Sequence, residues 1–239
     1  MRVLLATTLI LMIAMTFGKQ SWAGAAANPH QWAHDPPILD QRMQALQSGV
    51  TVFPGRGNGS GTAVARGVLG TYIVTNHHVV REREGIEVRF YGSDENHRAY
   101  IHSVDVENDI AVLITRAEAP AIATVGRRPR MFEEAVCIGS PAGTDLAPSV
   151  GIITELDHAV RDDESGRLFH RSDCNIVGGS SGGGLFVERR GEWHLVGMPT
   201  QVYVIRSGLS GAQVPFLGMM VRSEEIRHHL EVNNVPMRS

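Results

Sequence analysis

The chain has 239 residues, 43% of them hydrophobic and 20% charged, with a formal net charge of −3. That composition is globular rather than disordered or collagen-like, and the length suits one all-β unit or two small packed lobes. The near-neutral balance, with no dominant basic tract, argues against nucleic acid as a partner.

The N-terminus reads as an export signal. Arg2 supplies a positive start, Val3 to Met15 is apolar apart from Thr7 and Thr8, and Ser21-Trp22-Ala23 places small residues where a signal peptidase reads, ahead of Gly24. The run is shorter than the roughly 20 residues a spanning helix needs. Residues 1–23 are therefore expected to be a cleaved signal peptide that leaves no stable membrane anchor, with the mature chain periplasmic or secreted. Export also puts Cys137 and Cys174 in an oxidising compartment, where one disulfide between them is expected, against the alternative of two buried thiols packed as small apolar side chains.

Residues 24–49 read as an N-terminal arm followed by a short helix. Gly24 to Pro37 is rich in Ala, Pro, His and Asn without any period, as in a mobile arm. Ile38 to Gln47 predicts a helix, with Ile38, Met43 and Leu46 as apolar contacts and Gly49 after it. Beyond it the pattern is β. Short apolar or alternating stretches fall at Val50–Phe53, Thr62–Ala65, Tyr72–Thr75, Ile86–Phe90, Tyr100–Val106, Ile110–Ile114 and Val136–Ile138. They continue at Val150–Leu156, Leu168–Arg171, Leu185–Glu188, His194–Met198 and Phe216–Val221. Turn-forming clusters such as Pro54–Gly61, Tyr91–Asn96 and Asp162–Gly166 separate them. Short strands at this spacing predict an all-β barrel or sandwich and oppose alternating βαβ units. A last helix is predicted at Ser223–Val232, with Ser223 as its cap and Ile226 and Leu230 on one face.

Three segments carry chemistry, in the order His, Asp, Ser. In Tyr72-Ile-Val-Thr-Asn-His-His-Val79 a histidine follows an apolar strand, the rigid support that a general base for a serine nucleophile needs. In Asn108-Asp-Ile-Ala-Val-Leu113 an acid opens a buried strand, where a carboxylate is fixed and desolvated enough to orient that base. In Gly178-Gly-Ser-Ser-Gly-Gly-Gly184 consecutive glycines let the backbone turn around a serine and aim N–H groups at one point. Each segment alone has a plain reading: a structural histidine, a strand-start aspartate, a flexible Gly/Ser loop. Their order and contexts together point to one site.

These segments resemble the trypsin-like serine peptidases, most closely bacterial HtrA/Deg-like protease domains and the glutamyl-endopeptidase-like branch. The resemblance covers roughly Ser60 to Thr200. Gly59-Ser-Gly-Thr-Ala-Val64 resembles the GSG strand, Thr75-Asn-His-His-Val79 the T-x-x-H-V motif and Asn108-Asp-Ile-Ala-Val-Leu113 the D-I-A motif. Ile138-Gly-Ser-Pro-Ala-Gly143 resembles the I-G-x-P-x-G loop, Gly179-Ser-Ser-Gly-Gly183 the G-x-S-G-G motif, and Leu195-Val-Gly-Met198 the strand lining the substrate channel.

The resemblance implies two six-stranded antiparallel β-barrels over residues 50–239, with a lobe boundary near 116–130. It implies a triad of His78, Asp109 and Ser181, and an oxyanion hole from the N–H groups of Gly179 and Ser181. It selects His78 over His77 by its distance from Thr75, and alternation along an extended segment keeps both from facing one serine. Asp105 is the competing acid, but no apolar strand follows it. The implied substrate pocket is Asn175, Ile176, Val177, Met198, Pro199, Thr200 and Gln201. Asn175 stands where a trypsin-like pocket carries Asp, which argues against tryptic cleavage; His194 with Thr200 raises an acid-reading pocket, against a plain surface histidine.

Departures limit the carry-over. Ser180 stands where trypsin has the Asp that pairs with its released N-terminus. The chain ends about forty residues after Thr200, below the roughly 50 of a usual domain, so no PDZ domain is expected. The implied function is a secreted endopeptidase acting on protein or peptide substrates, without metal or organic cofactor, and its oligomeric state is open. Three alternatives stand beside it. One is a latent or inactive protease-fold adaptor. Another is an α/β-hydrolase with Ser180 as nucleophile, which lacks an aspartate after the serine and the crossover helices. The third is a metal site from the 11 histidines, which show no zinc-ligand spacing.

Overall fold

The computed structural model describes residues 36–81, 85–160, 166–207 and 210–238. The expected signal peptide, the arm to Asp35 and most of the Asp162–Gly166 turn lie outside the described residues.

After helix α1 (Pro36–Gln47), six strands close into an antiparallel barrel in the order β1-β2-β3-β6-β5-β4. They are β1 (Gly49–Phe53), β2 (Gly59–Gly67), β3 (Gly70–Thr75), β4 (Glu87–Phe90), β5 (His97–Asp105) and β6 (Ile110–Thr115), with a one-turn helix α2 (His77–Val80) after β3. The second sheet holds β7 (Thr124–Val125), β8 (Glu134–Gly139), β9 (Ala147–Ala159), β10 (Leu168–Ser172), β11 (Gly184–Arg189), β12 (Glu192–Ser207) and β13 (Ser210–Arg222). Its order is β11-β8-β9-β10-β13-β12-β7, and β11 also pairs with β12, so six strands close a second barrel. The two-residue β7 adds on parallel to β12. Helix α3 (Ser223–Val232) ends the fold.

The apolar runs are explained by three cores. Val50, Val52, Ile73, Val88 and Leu113 fill the first barrel. Ala135, Ile153, Leu185, Val187 and Met220 fill the second. Val74, Ile110 and Val112 meet Phe186, Leu195 and Met198 in a third core, joined by Leu46 of α1 and Ile226 and Leu230 of α3. Side chains alternate along a strand, so in β6 Ala111 and Leu113 point into the barrel while Ile110 and Val112 face the third core. A strand buried on both faces reads as a continuous apolar run rather than an alternating one. Each such Val, Leu or Ile contributes about 1.5–3 kcal/mol on burial. Strand β6, which directly follows Asp109, is therefore among the most firmly held.

The structure corrects three expectations. Ser223 does not cap α3: the helix starts at Ser223 itself, Arg222 holds the extended cap position, and the Ser223 hydroxyl bonds to Glu224 Oε2. β12 and β13 run far past Met198 and Phe216. Cys137 and Cys174 are free thiols, not a disulfide. Both are buried in the second barrel's core, and that burial pushes both thiols above their ordinary pKa, Cys137 the further. They behave there as small apolar groups. Reducing agent is expected to leave the melting temperature unchanged, and a thiol reagent to react with both only after unfolding. Loss of a structural bridge would instead cost about 2–5 kcal/mol and lower the transition visibly.

Candidate active site

Asp109 sits at the mouth of β6 with φ 57°, a left-handed conformation uncommon for residues other than glycine. Its carbonyl accepts hydrogen bonds from the His77 N–H (3.2 Å) and from Asn76 Nδ2 (3.0 Å), which hold the turn in place. Its carboxylate is enclosed by donors. Oδ1 accepts from the His78 backbone N–H at 2.9 Å, and Oδ2 lies 2.8 Å from His78 Nδ1 and 2.5 Å from Thr200 Oγ1. Burial alone would push this carboxyl up, but hydrogen bonds from His78 and Thr200 and the charge of His78 outweigh it and hold it below the usual aspartate range. An ionised carboxylate only accepts, so the proton of neutral His78 resides on Nδ1 and Nε2 is left as an acceptor. The His78 side chain is 38% exposed against 13% for Asp109, so the imidazole faces the opening and the carboxylate is shielded behind it.

His77 and His78 share the helical turn α2. The reason given for separating them, alternation along an extended segment, therefore fails. What distinguishes His78 is that both its backbone N–H and its ring engage Asp109.

Ser181 is half-buried on the loop before β11, which is clamped from several sides. Its carbonyl accepts from the Ser60 N–H at 2.8 Å, and the Ser60 hydroxyl donates to the Gly179 carbonyl at 2.7 Å while accepting from the Ser140 N–H at 2.8 Å. Asn58 Nδ2 bonds the Ser140 carbonyl at 3.2 Å, and Ala142 N–H the Gly178 carbonyl at 2.7 Å. Within the loop the N–H of Ser180 is taken by the Val177 carbonyl and that of Gly182 by the Pro199 carbonyl. The N–H groups of Gly179 and Ser181 have no acceptor among the described residues. Ser180 is 4% exposed and its hydroxyl is folded back toward the Val177 N–H, which opposes the reading with Ser180 as nucleophile. No hydrogen bond joins His78 Nε2 to Ser181 Oγ among the described residues; such contacts commonly tighten only when substrate is bound.

Glycine is required at two points of this loop. Gly179 has φ +95°, and a Cβ there would lie 2.3 Å from the Ser140 carbonyl oxygen. Gly182 has φ +85°, and its Cβ would lie 2.3 Å from both the Ser60 carbonyl oxygen and Thr75 Oγ1. Gly182→Ala combines backbone strain with overpacking, each about 1–3 kcal/mol. It is expected to lower the melting temperature by roughly 10 °C, read by calorimetry; an unchanged transition would contradict this packing.

The pocket candidates are scattered. Asn175 is exposed, with its N–H bonded to Ser149 Oγ at 2.8 Å. Ile176 is buried with its Cδ1 against Gly218, Val177 is half-buried, and Met198 is wholly buried in the third core. Pro199 is buried with its carbonyl on Gly182, and the Thr200 hydroxyl is turned to Asp109, so its part in the site is with the acid. Gln201 follows on β12. His194 is partly buried, pairs across to Thr124 and lies 3.9 Å from Glu192. Sequence reasoning missed Thr200, Asn76 and Ser60 as supports. The G-S-G strand was itself the signal for Ser60.

The model of the trypsin-like peptidase domain matches residues 59–198, more than half of the chain and all three triad candidates. The chain belongs to the trypsin-like peptidase domain family. Among similar family members is a probable periplasmic serine endoprotease DegP-like protein of Buchnera aphidicola subsp. Schizaphis graminum, 30% identical over 77% of this chain and 36% of that one. Another of the same description, from Ectopseudomonas mendocina, is 29% identical over 65% of this chain and 33% of its own. The chain thus spans about a third of the length of these relatives. Two solved structures share the fold. A serine endoprotease from Yersinia pestis has TM-score 0.64 at 22% identity, over 82% of this chain and 66% of that one. The HtrA-type protease AlgW with decapeptide has TM-score 0.67 at 21% identity, over 82% and 67%.

Proposed function

We propose that this trypsin-like peptidase domain is an exported serine endopeptidase, periplasmic or secreted, with Ser181 as nucleophile, His78 as general base and Asp109 as the orienting acid. The observation that carries this reading is the chain of contacts from Thr200 through Asp109 to His78 Nδ1, beside a serine loop with two unpartnered N–H groups.

In the reaction, Ser181 Oγ attacks a peptide carbonyl carbon as its proton passes to His78 Nε2. The carbonyl becomes an oxyanion, held by the N–H groups of Gly179 and Ser181. Asp109 fixes the imidazole and offsets the charge of the imidazolium without taking its proton. The C–N bond then breaks as His78 gives its proton to the leaving amine, and an acyl-enzyme remains. Water attacks it with His78 again as base, releasing the carboxylic acid and restoring the serine.

Labelling with a fluorophosphonate probe tests the assignment. Label is expected on Ser181 by mass spectrometry, and His78→Ala is expected to abolish it. No label on folded protein would favour the latent adaptor, in line with the missing His78–Ser181 hydrogen bond.

A further inference from the structure

Four parts of the chain converge on one cavity of about 430 Å³: helix α1, the end of β2, the segment joining β6 to β7, and the residues after α3. Pockets for small ligands hold roughly 300–1,000 Å³. None of the triad candidates lines this one, and the proposed reaction makes no use of it. Its walls are pinned. The Thr71 hydroxyl donates to the Ala117 carbonyl at 2.7 Å and accepts from the Ala119 N–H at 3.3 Å, and the Ala123 N–H donates to the Ala63 carbonyl at 2.8 Å. The joining segment is thereby held to the first barrel on both sides of Pro120 and Ile122, so the cavity is formed before any ligand arrives.

The charge there is one-sided. Arg66 and Arg238 both line the cavity, brought together by the bridge between Ala65 and Met237, whose next residues they are. Arg66 Nη2 donates to the Ala119 carbonyl at 2.6 Å, which fixes that guanidinium and leaves its remaining N–H groups for a ligand. The side chains of Arg238, Gln44 and Gln47 have no hydrogen-bond or ion-pair partner among the described residues, and no acidic side chain among them lines the cavity. Two guanidiniums therefore share one opening without a carboxylate to offset them, in a chain whose formal net charge is −3. Guanidinium groups match the oxygens of carboxylate and phosphate with paired hydrogen bonds, and the carboxamides of Gln44 and Gln47 add N–H donors. An adjoining cavity, which shares Gln44 and Arg238, carries Glu192. An anion is thus favoured on the Arg66 side and repelled beyond Arg238. Met43, Pro120 and Ile122 supply apolar surface to the lining.

We infer that this cavity is a binding site for a small organic oxyanion, a carboxylate or a phosphate monoester, whose short apolar part rests on Met43 and Ile122. The inference is independent of the endopeptidase reading, since it uses none of the residues assigned to the reaction. A ligand here touches α1, β2, the joining segment and the residues after α3 at once, and it stabilises the folded chain by mass action.

The test uses the full chain, labelled with ¹⁵N and titrated in turn with acetate, butanoate, butyl phosphate and 1-butanol. The side-chain resonances of Gln44, Gln47, Arg66 and Arg238 are expected to shift with butanoate or butyl phosphate, with a Kd of about 1 mM or lower. Butanoate is expected to bind about fivefold or more tighter than acetate, because it buries two more methylenes. Uncharged 1-butanol is expected to leave these resonances in place, and about 1 M NaCl to weaken the anions several-fold. Whichever of butanoate and butyl phosphate binds the more tightly identifies the source, an organic acid or a phosphate ester. Arg238→Gln is the decisive variant, because its side chain has no partner to lose. Its melting temperature without ligand is expected to match the parent's, with the affinity about tenfold lower.

No shift with either butyl anion, equal shifts with 1-butanol, or an Arg238→Gln Kd matching the parent's would each overturn the site. So would an affinity that salt leaves unchanged. Arg56→Gln, which removes an exposed arginine outside the cavity, controls for the loss of one positive charge. The same loss of affinity there would mean a general attraction of anions to the surface, and would overturn the assignment to this cavity.

Discussion

Alanine at Ser181 is expected to lower kcat/KM on unfolded β-casein by roughly 10⁴- to 10⁶-fold, with the melting temperature essentially unchanged. On the proposed triad the size follows from its members acting as a unit: without the Ser181 hydroxyl, His78 has no proton to accept. The neighbour offers no substitute, because the Ser180 hydroxyl is buried and turned toward the Val177 N–H at 3.5 Å. Ser180→Ala is the matched control. Its single long hydrogen bond is worth about 1 kcal/mol or less, so its activity is expected to stay within about tenfold of the parent. If Ser181→Ala kept most of the activity, or if Ser180→Ala lost it, the assignment of the nucleophile would be wrong. A stopped assay with purified protein, checked by the label on Ser181, reads both.

Much of this arrangement is legible in the chain, for reasons that are local. Val74 and Val112 lie on strands buried on both faces, and such strands announce themselves as apolar runs, so their cores fall where the pattern predicts. The motifs around His78, Asp109 and Ser181 are also local, each compressed into a few residues beside one strand. What escapes the sequence is contact across long separations. Thr200 reaches Asp109 from 91 residues away with no trace in spacing or composition, and Ser60 reaches Gly179 from 119 away, signalled only by its G-S-G motif. The resemblance places Thr200 in a pocket, whereas the strand's course brings its hydroxyl to the carboxylate of Asp109. Strand β7, only two residues long, is too short for any period. The length of β12 and β13 is hidden differently: Pro199 lies opposite Met220 where the register shifts, and Pro215 falls where the register shifts again, so neither strand carries an unbroken pattern. The disulfide expectation failed because an even cysteine count says nothing about geometry.

The substitution Asp109→Asn is expected to lower kcat/KM by about 10⁴-fold while leaving the fold intact. The amide has the volume of the carboxylate but carries two donors of its own. Placed at Oδ2, its NH₂ would face the His78 Nδ1 proton and the Thr200 hydroxyl, both donors in the parent at 2.8 and 2.5 Å. The arrangement relaxes by moving the imidazole proton to Nε2, and His78 then cannot accept a proton from Ser181. Thr200→Val removes one of the donors to Asp109 without altering the charge that orients the ring. A loss of about tenfold is expected there, the equivalent of one charge-assisted hydrogen bond.

The same carboxylate gives a second readout that does not depend on turnover. Its pKa is held below the usual aspartate value, so in the folded protein it binds fewer protons than in the unfolded chain as the pH falls. Its contribution to stability is complete above the ordinary aspartate value and is lost as pH drops through the lower folded one. Asp109→Asn lacks a titrating group at that position. Its melting temperature is therefore expected to fall less steeply than the parent's between pH 5 and about 2, with the two curves converging in acid. Parallel curves would mean that Asp109 is not the depressed carboxylate, and a variant within tenfold of parental activity would mean that it does not orient His78.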